Sequence, residues 1–268
     1  MAVILARLRA VVRILKEIEP VLRILNMERS SLRRVLWIAL GFLTFIGCAI
    51  VFRRVVAIAP SLVHGYQPPG AASNPIAARF GNLDDTFNHF TILTLVHILP
   101  GLLFILLAPF QFSASFRSRH LKAHRIIGRT FLGCGLIVGT TALVMSFAMP
   151  AIGGVNQAAA TTLFGTLFLF ALGKAYFHIR RREIALHREW MIRAYAIGLA
   201  VTTIRPIVGI FFATSRLSGL TPHDFFGAAF WIGFTIHLIV AESWIRTHPN
   251  SQQTAGGAVA AARGELSL

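Results

Sequence analysis

The chain has 268 residues, of which 55% are hydrophobic and 13% charged, with a net charge of +16 and a mean hydropathy of +0.67. A soluble domain of this size carries roughly a quarter charged residues, so the composition excludes a cytosolic enzyme and a free nucleic-acid binder and places the chain in a bilayer. Lys and Arg in such a chain are orientation signals before they are contacts for a polyanion, and no nucleic-acid partner is expected.

Residues 1–30 come first in the chain. Ile4, Leu8, Val11, Leu15, Ile18, Leu22 and Leu25 recur at alternating steps of four and three, while Arg9, Arg13, Lys16 and Arg23 fall on the other face. This is a basic amphipathic N-terminal helix, interrupted by Pro20 and expected to lie on anionic lipid headgroups. A second reading makes residues 1–26 an upstream extension, because Met27-Glu28-Arg29-Ser30-Ser31 ahead of the first span looks like a natural start. The segment is too polar for a secretory signal and has no cleavage site, so the first span is expected to insert uncleaved.

Six windows fit the ~20 apolar residues that a spanning helix needs: about 35–52, 90–112, 130–149, 158–177, 194–213 and 225–245. An even number puts both termini on one side. With the N-terminus cytoplasmic, 21 of the 26 Lys and Arg fall inside, Arg53, Arg54, Arg79 and Arg216 fall outside, and Arg205 lies within the fifth span. Arg53 and Arg54 are then read as snorkelling from the end of the first helix. Residues 53–89, with Pro60, Pro68, Pro69, Gly70, Pro75, Gly81 and the acidic pair Asp84-Asp85, read as a long outer loop. The other connections are short, which favours antiparallel neighbours. Residues 249–268 read as a disordered C-terminal tail. The expected fold is an all-α polytopic transmembrane helical bundle, one six-helix domain over 31–248, multi-pass in the bacterial inner (plasma) membrane. Cys48 and Cys134 lie inside apolar runs and form neither a disulfide framework nor a metal spacing.

Ionisable groups at membrane depth are expensive and mark candidate sites. His97 in the second span, His237 in the sixth and Arg205 in the fifth are the deep ones. Two neutral imidazoles on facing helices at matched depth would hold haem b as axial ligands, with Arg205 pairing a propionate. The competing reading has His97 and His237 bonded to backbone or Thr hydroxyls as interhelical polar contacts. Arg205 also precedes Pro206, which frees a carbonyl for it to cap.

A second set gathers at the inner helix ends. His120 and His124 are four apart, His124-Arg125-x-x-Gly128-Arg129 opens the third span, and His187-Arg188-Glu189-Trp190-Met191-Ile192-Arg193 opens the fifth. His178 closes the fourth and Glu242 lies near the inner end of the sixth. His124, His187 and Glu242 would suit a divalent metal such as zinc, or the imidazoles would relay protons or serve a quinone. Arg125, Arg129 and Arg193 offer a bidentate grip on a carboxylate, phosphate or propionate. Topology and interfacial anchoring select the same residue types, Trp190 included. For Glu242 an ion pair with Arg129 or Arg193 is the default. No Gly-rich phosphate loop, His-Glu-x-x-His helix, Gly-x-Ser-x-Gly elbow or Cys-x-x-Cys is present, and no span carries an Asp, which disfavours a cation-coupled transporter.

With these motifs in place, residues 90–245 resemble a family of predicted bacterial membrane proteins known only as domain of unknown function 2306. The resemblance rests on the ordered set His97 with Pro100-Gly101, His124-Arg125-x-x-Gly128-Arg129, His187-x-x-Trp190-Met191-x-Arg193 with Tyr195, Arg205, and Trp231 with Glu242. It implies a membrane bundle and supplies no activity. In layout the chain is also similar to small haem-b membrane cytochromes, an analogy of architecture. Three functional expectations follow: a haem-b-binding redox or quinone-interacting membrane protein, a metal-dependent membrane enzyme or transporter with a His/Glu site on the cytoplasmic face, and a non-catalytic membrane scaffold or sensor that binds lipid headgroups.

Overall fold

The computed structural model describes residues 29–66 and 85–248. The amphipathic segment before Arg29, the stretch 67–84 and the tail from 249 lie outside the described residues. Eight helices occur among the described residues: α1 Arg29–His64, α2 Asp85–His89, α3 Thr91–Phe112, α4 Ala114–Arg119, α5 Leu121–Ala148, α6 Gly154–Arg180, α7 Ile184–Ser218 and α8 Pro222–Thr247. There is no strand among them. Six helices, α1 from Arg34, α3, α5, α6, α7 and α8, are long and apolar enough to cross a membrane. The protein is an all-α polytopic membrane bundle.

Three helices overrun their expected limits. α1 continues past residue 52 through Arg53, Arg54 and Pro60, α5 begins at Leu121, and α7 begins at Ile184. The cause is common to all three. An apolar window counts only hydrophobic residues, whereas Lys122, Arg125, Arg129 and Arg188 are good helix formers, and a helix satisfies its own backbone in lipid and water alike.

Compactness divides the chain at residues 45 and 46. In the first unit the described part of α1 exposes Val35, Ile38, Phe42 and Phe45, apolar surface suited to lipid. The second unit begins at Ile46. There Gly47, Val51, Arg54 and Ile58 fall on one face of α1 at steps of four, three and four, and Ile58 is 0% exposed.

Within this second unit the closely packed helix pairs are α3 with α5, α5 with α6, α6 with α7, and α8 with both α7 and α6. Sequence neighbours run antiparallel, as the short connections require. His97 meets Thr141 while Gly128 meets Gln111, and Thr203 meets His237 while Arg193 meets Glu242. Consequently α5 and α7 start, and α3, α6 and α8 finish, at one end, which carries Lys122, Arg125, Arg129, Arg180, Arg181, Arg182 and Arg188. This is the basic end; the other is the far end.

Close helix approach comes from glycine. A Cβ on Gly198 of α7 would stand 2.6 Å from Phe104 Cε1, and one on Gly233 of α8 would stand 2.5 Å from Ile204 Cγ1. Phe104 is pinned in turn, stacked on Phe131 at 4.1 Å between centroids and edge-on to Phe168 at 5.6 Å. At the far end a Cβ on Gly153 would lie 2.6 Å from the backbone nitrogen of Gly227. Small residues at such crossings let backbones touch, the principal route to tight helix association in a bilayer.

Two terminators frame the helices. Gly219, at φ 69°, ends α7, and a capping box of Thr221 and Asp224 starts α8. Because the atom facing Gly153 is backbone and cannot swing aside, Gly153→Ala is expected to cost roughly 1–3 kcal/mol, read as a lower thermal midpoint in mild detergent. Gly173→Ala, at a position with nothing within 4 Å, is expected to leave the midpoint unchanged. Equal losses in both would contradict the packing argument.

Candidate functional site

The basic end brings His124, His178, His187, Arg193 and Glu242 together from four helices. Gln111 of α3 donates from Nε2 to the His124 carbonyl at 3.2 Å, and its Oε1 lies 3.2 Å from where a Gly128 Cβ would stand. The Gly of the His-Arg-x-x-Gly-Arg run therefore admits the glutamine that ties α3 to the first turn of α5. His124 Nδ1 is buried and has no hydrogen-bond partner among the described residues. His124 stands within electrostatic reach of His187 and Arg117.

His187, in the first turn of α7, bonds through Nδ1 to the Ala175 carbonyl of α6 at 2.8 Å. A carbonyl only accepts, so Nδ1 carries the proton and Nε2 of the neutral ring is left as a bare acceptor. His178, 7% exposed, bonds through Nδ1 to the Glu183 carboxylate across the tight α6–α7 connection. That connection turns at Arg182, which has φ 61°. His178 is also within electrostatic reach of His187.

Arg193 grips Glu242 with two prongs, Nε to Oε1 at 2.6 Å and Nη2 to Oε2 at 3.1 Å, joining α7 to α8. Glu189 Oε2 lies 3.8 Å from Arg193 Nη1, and the guanidinium sits 4.7 Å over the Trp190 ring. Of the two partners expected for Glu242, Arg193 takes it, while Arg125 and Arg129 are exposed on α5. Glu242 is thereby committed to an ion pair. Among the described residues no group of three or more His, Cys, Asp or Glu stands where it would hold a metal ion.

The deep residues lie elsewhere. His97 Nδ1 meets Thr141 Oγ1 at 2.9 Å, and since that hydroxyl donates to the Ile137 carbonyl at 2.7 Å, His97 is the donor. His237 Nε2 meets Thr203 Oγ1 at 2.7 Å. Both histidines are bonded across a helix pair by threonine hydroxyls. Arg205 Nε is buried with no hydrogen-bond partner among the described residues.

A single haem b needs its two imidazoles at one level. Ile105 and Thr202 both touch the Cβ position of Gly47, at 3.2 and 3.1 Å, which puts them at one level. His97 lies eight residues along α3 from Ile105 toward the far end, whereas the partner of His237 is next to Thr202. At ~1.5 Å per residue the two histidines are offset by on the order of 10 Å. Their helices, α3 and α8, are also not among the closely packed pairs. His97 and His237 do not fit as the two axial ligands of one haem.

The sequence offered threonine hydroxyls as partners for His97 and His237 without singling out Thr141 and Thr203, and it gave no pointer to Gln111 or Glu183. Each is an ordinary polar residue whose role appears only when helix registers are known. The Arg193–Glu242 pair is partly exposed, so its coupling is expected to be about 1 kcal/mol. A double-mutant cycle on Arg193→Gln and Glu242→Gln, read by unfolding in detergent, measures it, and strictly additive effects would contradict the pairing.

Residues 94–245 match the model of a family described as Predicted membrane protein (DUF2306). The matched region holds His97, His124, His187, Arg193, Arg205, His237 and Glu242. No curated protein and no solved structure matches the chain. With more than half of its 268 residues inside the matched region, the chain belongs to the DUF2306 family of predicted membrane proteins.

Proposed function

We propose that this membrane protein binds a quinone-type headgroup at its basic end, with that end and the N-terminus on the cytoplasmic side of a bacterial inner membrane. The observation that carries the reading is the pair of imidazole nitrogens left for a ligand. His187 Nε2 is a bare acceptor, because Nδ1 is fixed by the Ala175 carbonyl, and the neighbouring His124 Nδ1 is buried without a partner among the described residues. A buried polar atom left unsatisfied costs about 1–3 kcal/mol, which a ligand recovers on binding. A quinol supplies what is missing: a hydroxyl to donate to His187 Nε2 and an oxygen within the range of His124. His178 with its Glu183 carboxylate, beside His187, gives a proton taken from the hydroxyl a next acceptor. Exposed Leu121 and Ile126 on α5 leave apolar surface for an isoprenoid tail. The orientation rests on the one-sided Lys and Arg distribution.

The test uses the full chain purified in mild detergent. Organic extraction followed by chromatography is expected to recover about one quinone per chain. His187→Ala is expected to lower retention about tenfold, the equivalent of one lost hydrogen bond of ~1.4 kcal/mol. A wild-type protein that retains no quinone and does not bind added short-chain quinol would overturn the proposal. A Soret band that shifts on dithionite, or a stoichiometric metal lost in His124→Ala, would replace it with the haem or metal reading.

A further inference from the structure

α6 carries an outward stripe that the quinone reading does not use. Leu167, Phe170, Lys174, Phe177 and Arg181 recur at steps of three, four, three and four, which puts them on one side of the helix and its last turn. The opposite side, with Phe168, Ala171, Ala175 and His178, is buried, whereas Phe170 is 55% exposed and Leu167, Phe177 and Arg181 are also exposed. The outward stripe is apolar except for its two cations, which stand at its basic end.

Those cations share one aromatic ring. The Arg181 guanidinium lies 4.1 Å over Phe177, and Lys174 Nζ is 5.7 Å from the centroid of the same ring. Lys174 Nζ is also 5.8 Å from the Trp190 ring of α7, which packs edge-on against Phe170 at 5.5 Å. By the helical rise, Lys174 lies about 9 Å back from the end of α6, toward the apolar level. An ammonium at that depth is costly, and aromatic faces attract its charge but offer no oxygen to its three N–H donors. The described carboxylates of this end are engaged elsewhere: Glu183 with His178, Glu242 with Arg193, and Glu189 beside Arg193. Neither Lys174 nor Arg181 makes an ion pair among the described residues.

We propose that this stripe, with Trp190, holds one anionic phospholipid, its phosphate between Lys174 and Arg181 and its acyl chains along Phe170 and Leu167. Two cations without a carboxylate suit an anion with several oxygens, Lys174 as a point charge and Arg181 as a fork. The apolar surface that continues from them toward the far end selects a lipid over free phosphate, and Trp190 stands at the level where indoles meet headgroups.

The test takes the full chain through exhaustive detergent exchange and adds back phosphatidylglycerol, phosphatidylcholine or inorganic phosphate, with bound lipid read by native mass spectrometry and stability by the thermal midpoint. Wild type is expected to hold about one phosphatidylglycerol, roughly tenfold more tightly than phosphatidylcholine, and to gain in midpoint with that lipid but not with phosphate. Lys174→Gln and Arg181→Gln are each expected to weaken phosphatidylglycerol binding about fivefold, and the double variant to lose the preference between the two lipids. Arg181→Gln, at an exposed position, gives the reading if Lys174→Gln does not fold. Lys122→Gln, a basic residue of the same end on α5, is expected to leave binding unchanged. A wild type without the preference, an equal response to inorganic phosphate, folded variants of Lys174 and Arg181 that bind like wild type, or an equal loss in Lys122→Gln would overturn the proposal. A dimer that persists in the presence of lipid and is lost in Phe170→Gln would also overturn it, assigning the stripe to a second copy of the chain.

Discussion

Lipid tails are as apolar as leucine, so these helices gain little by exchanging one for the other, and the bundle depends on how closely backbones approach. Gly153, Gly198 and Gly233 set that approach, each so close to a neighbour that a single methyl would collide with it. Phe104, wedged against Gly198 and held by Phe131 and Phe168, fills the centre. Polar side chains therefore meet across helix pairs at a few points, and His97, His187 and His237 are each held by a group on another helix.

The manner of holding separates the histidines. His97 donates to a threonine hydroxyl that is itself spent on a carbonyl, His237 bonds another threonine hydroxyl, and their offset along the bundle removes them as a pair. His187 is bonded by a carbonyl, which leaves no choice of tautomer and presents Nε2 as an acceptor. Next to it His124 has a buried nitrogen that nothing in the described protein satisfies. Most buried polar groups in native structures are satisfied, so a buried imidazole nitrogen without a partner among the described residues, beside a pre-set acceptor, supports the ligand reading. Arg193 and Glu242 join α7 to α8 at the same end through a two-pronged ion pair, with Trp190 beneath the guanidinium.

Much of the fold was legible in the sequence because composition alone dictates it. Runs of about 20 apolar residues demand spanning helices, and the basic residues cluster on one end. Helix limits were less legible, since Lys122, Arg125 and Arg129 extend α5 without adding hydropathy, and Arg53 and Arg54 extend α1 for the same reason. The residues of the site were visible as types, but their pairings were not. Glu242 had two equally placed arginines in the sequence, and only the register of α7 against α8 selects Arg193. Matched depth for His97 and His237 was compatible with span lengths, and the contact of Gly47 with both Ile105 and Thr202 shows otherwise.

The proposed ligand site lies between His124 and His187. An experimental density map of the full chain in native-lipid nanodiscs, at a resolution that defines side chains, tests it most directly. The account predicts non-protein density in contact with both His124 Nδ1 and His187 Nε2. A map in which the two rings are bonded only to protein atoms, with no density between them, would contradict it.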